Sequence, residues 1–129
     1  MLRLALAVAF AALVAACATP PMPREINEDA EGARVTLARG QELIVTLDGN
    51  QTTGFRWSLV RAGPELVQVG EAAYVARTTE GRQSGSGGLT TFRFRAEKPG
   101  TSSLAFAYRR PWEANIPPAK SIRFEVRVE

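Results

Sequence analysis

"TTFRFRA", residues 90–96, alternates Phe92, Phe94 and Ala96 with Arg93 and Arg95. A period of two sends successive side chains to opposite faces of an extended chain, so one face meets a core and the other meets water. The same rhythm runs outward in both directions. Leu43, Val45 and Leu47 alternate with Ile44 and Thr46, and Phe55, Trp57 and Leu59 with Arg56 and Ser58. Further on, Leu104, Phe106 and Tyr108 keep the phase, as do Ile122, Phe124, Val126 and Val128 against Arg123, Glu125 and Arg127. No segment carries a helical period. Turn residues punctuate the runs at Gly49, Gly63-Pro64, Gly85 to Gly88, Pro99-Gly100 and Pro117-Pro118, the spacing of an all-β sandwich or barrel. About seven half-buried antiparallel strands over residues 34–129 predict an immunoglobulin-like β-sandwich.

The chain opens differently. Arg3 precedes an apolar run too short to span a bilayer, ending in Val14-Ala15-Ala16-Cys17, which reads as an export signal. Small residues ahead of a cysteine resemble a bacterial lipobox, implying that residues 1–17 are a lipoprotein signal and that Cys17 carries the lipid. Ala18 stands where aspartate would signal inner-membrane retention, so outer-membrane sorting is expected in a two-membrane cell. Residues 18–33, "ATPPMPREINEDAEGA", hold three of the eight prolines and little apolar material; they read as a flexible tether.

Composition removes most chemistries. The chain has no histidine, and its single cysteine is Cys17, so neither a Ser-His-Asp nor a Cys-His site nor a His/Cys zinc site can be assembled in the domain. Carboxylate pairs such as Glu65 with Glu71 or Glu113 with Glu125 have no recognisable spacing. No enzyme, cofactor or metal is expected. Without Arg3, 15 basic side chains face 13 acidic ones, interspersed rather than clustered, which argues against nucleic acid as a partner.

Three loops break the alternation. They are "NQTTGF" at 50–55, the glycine-rich 83–89 with "GSGG" at 85–88, and "RRPWE" at 109–113. In this order, on an all-β chain, they resemble the signature loops of chagasin-type inhibitors of papain-like cysteine peptidases. The resemblance covers residues 34–129. It implies a monomeric domain whose loops converge at one end and fill the peptidase cleft as a reversible, competitive wedge. Thr52 and Thr53 would lie over the catalytic pair, Gly54 would admit close approach, Asn50 would brace the loop, and Phe55 would root it in the core. Gly85, Gly87 and Gly88 would pair with the peptidase backbone. Arg110, Pro111 and Trp112 would supply a polar contact, a rigid stem and an aromatic anchor. Trp57, on the apolar phase of its strand, is read as core.

Two departures from that family are visible. Gln51 stands where relatives commonly have proline, which moves ordering cost to the binding step. Gln83 and Ser84 are polar where relatives tend to be apolar, which bears on target preference. The alternative reading is a non-inhibitory immunoglobulin-like envelope lipoprotein that binds another protein or a glycan through the same loops.

Overall fold

The computed structural model describes residues 19, 21–77 and 87–129. Cys17, Gln83, Ser84 and Gly85 lie outside the described residues. Among those described, nine strands form two sheets: β1 (Arg24–Asn27), β2 (Arg34–Leu37), β3 (Glu42–Gly49), β4 (Arg56–Arg61), β5 (Leu66–Gln68), β6 (Ala73–Ala76), β7 (Gly88–Ala96), β8 (Gly100–Arg109) and β9 (Lys120–Val128). One sheet runs β1-β3-β7, with β5 and β6 on successive halves of the far edge of β7, and the other runs β2-β9-β8-β4.

The period-two residues face each other across the sandwich. Leu43, Val45, Phe94, Leu104, Phe124 and Val126 are fully buried. The Phe106 ring on β8 lies 4.7 Å from Phe92 and 6.2 Å from Phe94 of the opposite sheet, and 6.2 Å from Phe124 on neighbouring β9. Tilted and edge-on pairs of this kind add about 0.5–1.5 kcal/mol each beyond their buried area, so one ring joins the sheets. Trp57 is 5% exposed, a core residue as read.

The structure departs from the sequence reading in two places. The expected antiparallel order holds for the central ladders, but β1 pairs with β3, and β2 with β9, in parallel. Neither edge strand reaches its partner through a hairpin, and only a hairpin obliges the chain to reverse. The second departure concerns the tether. Residues 24–27 form β1, which docks Ile26 at 8% exposure, and Glu28–Ala30 form a short 3-10 turn capped by Asn27. A strand with a single buried apolar residue has no alternation to detect, so its composition resembled a linker. Glu28 Oε1 fixes it further by accepting from Asp48 N at 2.8 Å.

Four strand ends meet at one end of the sandwich. β3 ends at Gly49, opposite Gly88 at the start of β7, while Arg56 at the start of β4 pairs with Arg109 at the end of β8. The connections after β3 and β8 and before β7 therefore share an edge. The docking of β1 has a measurable consequence: Ile26→Ala should lower unfolding free energy by about 2 kcal/mol in urea titration, whereas an unchanged midpoint would make residues 24–27 a tether after all.

Candidate functional site

The loop after β3 is built from its asparagine. Asn50 caps a 3-10 turn over Gln51–Thr53: its Oδ1 accepts from Thr52 N at 3.1 Å and from Thr52 Oγ1 at 2.6 Å. Thr53 Oγ1 donates to Asn50 O at 2.7 Å. Asparagine suits this position because a short side-chain carbonyl can replace the missing backbone acceptor. Both hydroxyl protons are thereby used inside the loop, and Thr52 and Thr53 remain exposed. Gly54 ends the turn at φ +85°, a left-handed conformation that costs an L side chain roughly 1–2 kcal/mol.

Tyr108 carries the loop on the core. Its hydroxyl accepts from Asn50 N at 2.8 Å, and its ring lies 5.2 Å from Phe55 and 5.0 Å from Trp57. Trp57 in turn donates from Nε1 to Asp48 O at 2.9 Å. Gly49 lets these rings close up, since a Cβ there would fall 2.9 Å from the Tyr108 ring. Phe55 precedes β4 and packs half-buried against the core.

The connection after β8 leans on the first loop. Arg110 donates from Nε to Thr53 O at 3.1 Å, pairs through Nη1 with Glu113 Oε1 at 3.1 Å, and lies with its guanidinium 4.5 Å above the Phe55 ring. A cation over an aromatic face contributes on the order of 0.5–1 kcal/mol at a partly exposed site. Pro111 is exposed, and Trp112 is 70% exposed. The Trp112 ring covers Gly54 closely enough that a Cβ on Gly54 would collide with it. The rim of the indole's six-membered ring is thus set against the neighbouring loop while much of the ring remains open to solvent.

These contacts give two residues a role within the free chain. The sequence reading gave Gly54 to an incoming partner and Arg110 to an outward polar contact. In the folded chain the bare face of Gly54 is occupied by Trp112, and Arg110 is spent on Thr53, Glu113 and Phe55. Their shared role is to join the two loops.

The glycine-rich segment enters the same edge. Gly88 is buried at the start of β7, paired with Gly49 on one side and Ala76 on the other, and Gly87 O accepts from Arg77 N at 2.8 Å. Tyr74 on β6 brings its hydroxyl to 3.5 Å from Gln51 N. Sequence reasoning counted Tyr108 only as an apolar-phase residue, weighed Glu113 only as one of a carboxylate pair, and gave no role to Tyr74 or Arg109. Tyr108 gave a usable signal, since a hydroxyl two residues before "RPW" must find a partner near the loops.

Among the described residues, the carboxylates weighed as catalytic pairs do not come together at this edge. Glu113 is paired with Arg110, and Glu125 with Arg34. Glu65 belongs to the opposite end, where its backbone carbonyl accepts from Glu97 N and Lys98 N. Among the described residues, no three His, Cys, Asp or Glu side chains converge where a metal ion could sit.

The chain matches the chagasin family of peptidase inhibitors, I42, over residues 36–128. It is 31% identical over 90 residues to amoebiasin-1 of Entamoeba histolytica, covering 70% of this chain and 85% of that one. It is 28% identical over 109 residues to chagasin of Trypanosoma cruzi, covering 81% and 96% respectively. A crystal structure of the Entamoeba histolytica cysteine protease inhibitor EhICP2 shares the fold with a TM-score of 0.75 at 18% identity, over 84% of this chain and 96% of that one.

The seating of Trp112 on Gly54 is testable without any partner. Gly54→Ala should cost about 1–2 kcal/mol of stability from its backbone conformation alone and shift the Trp112 indole N–H resonance. An unmoved resonance would mean that the ring does not rest there.

Proposed function

The chain belongs to the chagasin family of peptidase inhibitors, and on that premise we propose that it blocks papain-like cysteine peptidases reversibly and competitively, by seating its loop edge in their cleft. The observation that carries this reading is the union of residues 50–55 with 109–113 through Arg110 and Trp112. The two threonines and the indole are held as one surface before any partner arrives, and an anchor fixed beforehand loses little entropy on binding.

The same geometry accounts for resistance to cleavage. A papain-like peptidase acts on an extended substrate, whereas residues 51–53 form a 3-10 turn closed by a left-handed glycine. A catalytic thiolate facing this turn meets exposed threonine side chains and no extended backbone. Thr52 and Thr53 fill the space in front of the nucleophile, and Trp112 anchors the wedge to one side. Gly87 and Gly88 bring the third loop to the same edge, where exposed backbone can pair with the peptidase.

The lipid anchor on Cys17 is part of the proposal. Arg24 pairs with Leu43, at the end of β3 remote from Gly49, so a lipid attached ahead of β1 would lie behind the domain and the loops would point away from the membrane. With β1 starting at Arg24, six residues, 18–23, separate Cys17 from the sandwich. They reach at most about 20 Å. The inhibitor would then work close to the envelope surface that carries it.

Residues 21–129 hold every described strand and the whole core, and they are the form to assay. They should inhibit papain competitively. Trp112→Ala should cost about 2 kcal/mol, roughly a thirtyfold rise in the inhibition constant, and Thr52→Arg should also weaken inhibition by holding the turn away from the thiolate. A folded domain that leaves papain and a cathepsin L-type enzyme untouched at micromolar concentration would defeat the reading. For the anchor, the full chain expressed in a Gram-negative bacterium should incorporate labelled palmitate and lose it on Cys17→Ser. Equal labelling of both forms would remove Cys17 as the acceptor.

A further inference from the structure

The connection between β8 and β9, residues 110–119, is long for a hairpin, yet it folds back on itself. Glu113 N donates to Arg110 O at 3.0 Å, Ile116 N to Glu113 O at 3.2 Å, and Ala119 N to Tyr108 O at 2.9 Å. Two successive turns closed in this way gather several carbonyl oxygens on the inner side of the loop. Unopposed carbonyl dipoles repel one another, and such a conformation needs a donor at their focus.

Arg109, the last residue of β8, supplies it. Its Nη2 lies 2.8 Å from Glu113 O, 3.2 Å from Ala114 O and 3.1 Å from Ile116 O. Among the described residues no carboxylate forms an ion pair with Arg109, so its charge is spent on backbone carbonyls alone. Hydrogen bonds from a charged donor are stronger than neutral ones, and a half-buried guanidinium holding three acceptors within four residues restricts the loop more than any one turn bond does.

We propose that Arg109 is a positioning residue for the anchor: it holds residues 110–116 in the single conformation that sets the Trp112 indole on Gly54, and acts on the target only through Trp112. This deepens the inhibitor reading and rests on it. Arg110 ties the near side of the loop to Thr53, and Arg109 ties the far side to the strand. With both in place the indole is confined between Pro111 and a fixed turn. Without Arg109 the residues after Pro111 sample other arrangements, and ordering them becomes a cost of binding. Exposed Ile116 belongs to the same held segment.

The test uses residues 21–129 as wild type, Arg109→Gln, Arg109→Lys, Trp112→Ala and the Arg109→Gln/Trp112→Ala double variant. Amide exchange followed by NMR reads the loop, and papain inhibition reads the anchor. In Arg109→Gln, exchange at Glu113 and Ile116 should accelerate about tenfold or more while Leu104 and Phe124 keep their protection. Arg109→Lys, whose ammonium offers three N–H groups to the three carbonyls, should recover part of it. The inhibition constant should rise at least about fivefold on Arg109→Gln alone, yet less than about twofold once Trp112 is already alanine. Unchanged exchange, or an equal penalty in both backgrounds, would overturn the proposal. If wild type left papain untouched, the inhibitor reading would fall; the exchange measurement needs no peptidase and would by itself uphold or overturn the hold of Arg109 on the loop.

Discussion

The hydroxyl of Tyr108 against the amide of Asn50, at 2.8 Å, is where the core of this protein becomes its functional edge. Leu104, Phe106 and Tyr108 occupy one phase of β8, and the first two are buried among the sheets. The third reaches the end of the sandwich with an apolar ring inside and a polar tip at its rim. That tip must be satisfied, and the group that satisfies it is the residue that caps the threonine turn. The ring also stacks on Phe55, which supports the guanidinium of Arg110. Remove this contact and the turn, the arginine and the indole above it all lose their footing.

Such an edge suits the inhibition of a peptidase better than catalysis. An enzyme needs groups whose charge changes during the reaction, and the charged groups here are used as fixed struts. Arg110 is matched by Glu113 and Thr53 O, and Arg109 by three carbonyls. An inhibitor needs shape held against a cleft, and pre-ordered loops deliver binding energy that flexible ones lose. Gln51 fits the same logic. The ordering that proline would give is supplied by Asn50 from within the loop and by Tyr108 and Arg110 from outside it.

How much of this could be read in the sequence depended on whether a feature is local. The sandwich was legible because alternation along β3, β7, β8 and β9 is a local consequence of a half-buried extended chain. The parallel edge strands were not, because β1 and β2 are short and their partners lie far along the chain. Ile26 buries one side chain against a sheet that its own four residues do not suggest. At the site, Asn50 was legible as the brace of its loop, a property of a few consecutive residues, whereas the left-handed turn ended by Gly54 was not read. The contacts that Arg110 and Gly54 make within the chain were not legible, since a residue that can face outward can equally face a neighbouring loop.

That last ambiguity bears on how the proposed wedge would work. Trp112 is largely exposed yet not free, because the edge of its indole already abuts Gly54. An aromatic anchor wholly in solvent would pay for its order on binding, and one wholly packed would have no surface left for a partner. Setting the ring's edge against a glycine resolves the conflict: the backbone fixes the rim without a side chain to push it away, and most of the ring stays exposed. It also makes the two loops mechanically dependent. Moving the indole uncovers the threonine turn, and distorting the turn unseats the indole, so in the proposed wedge a peptidase cleft that engages one loop would meet the other already in position.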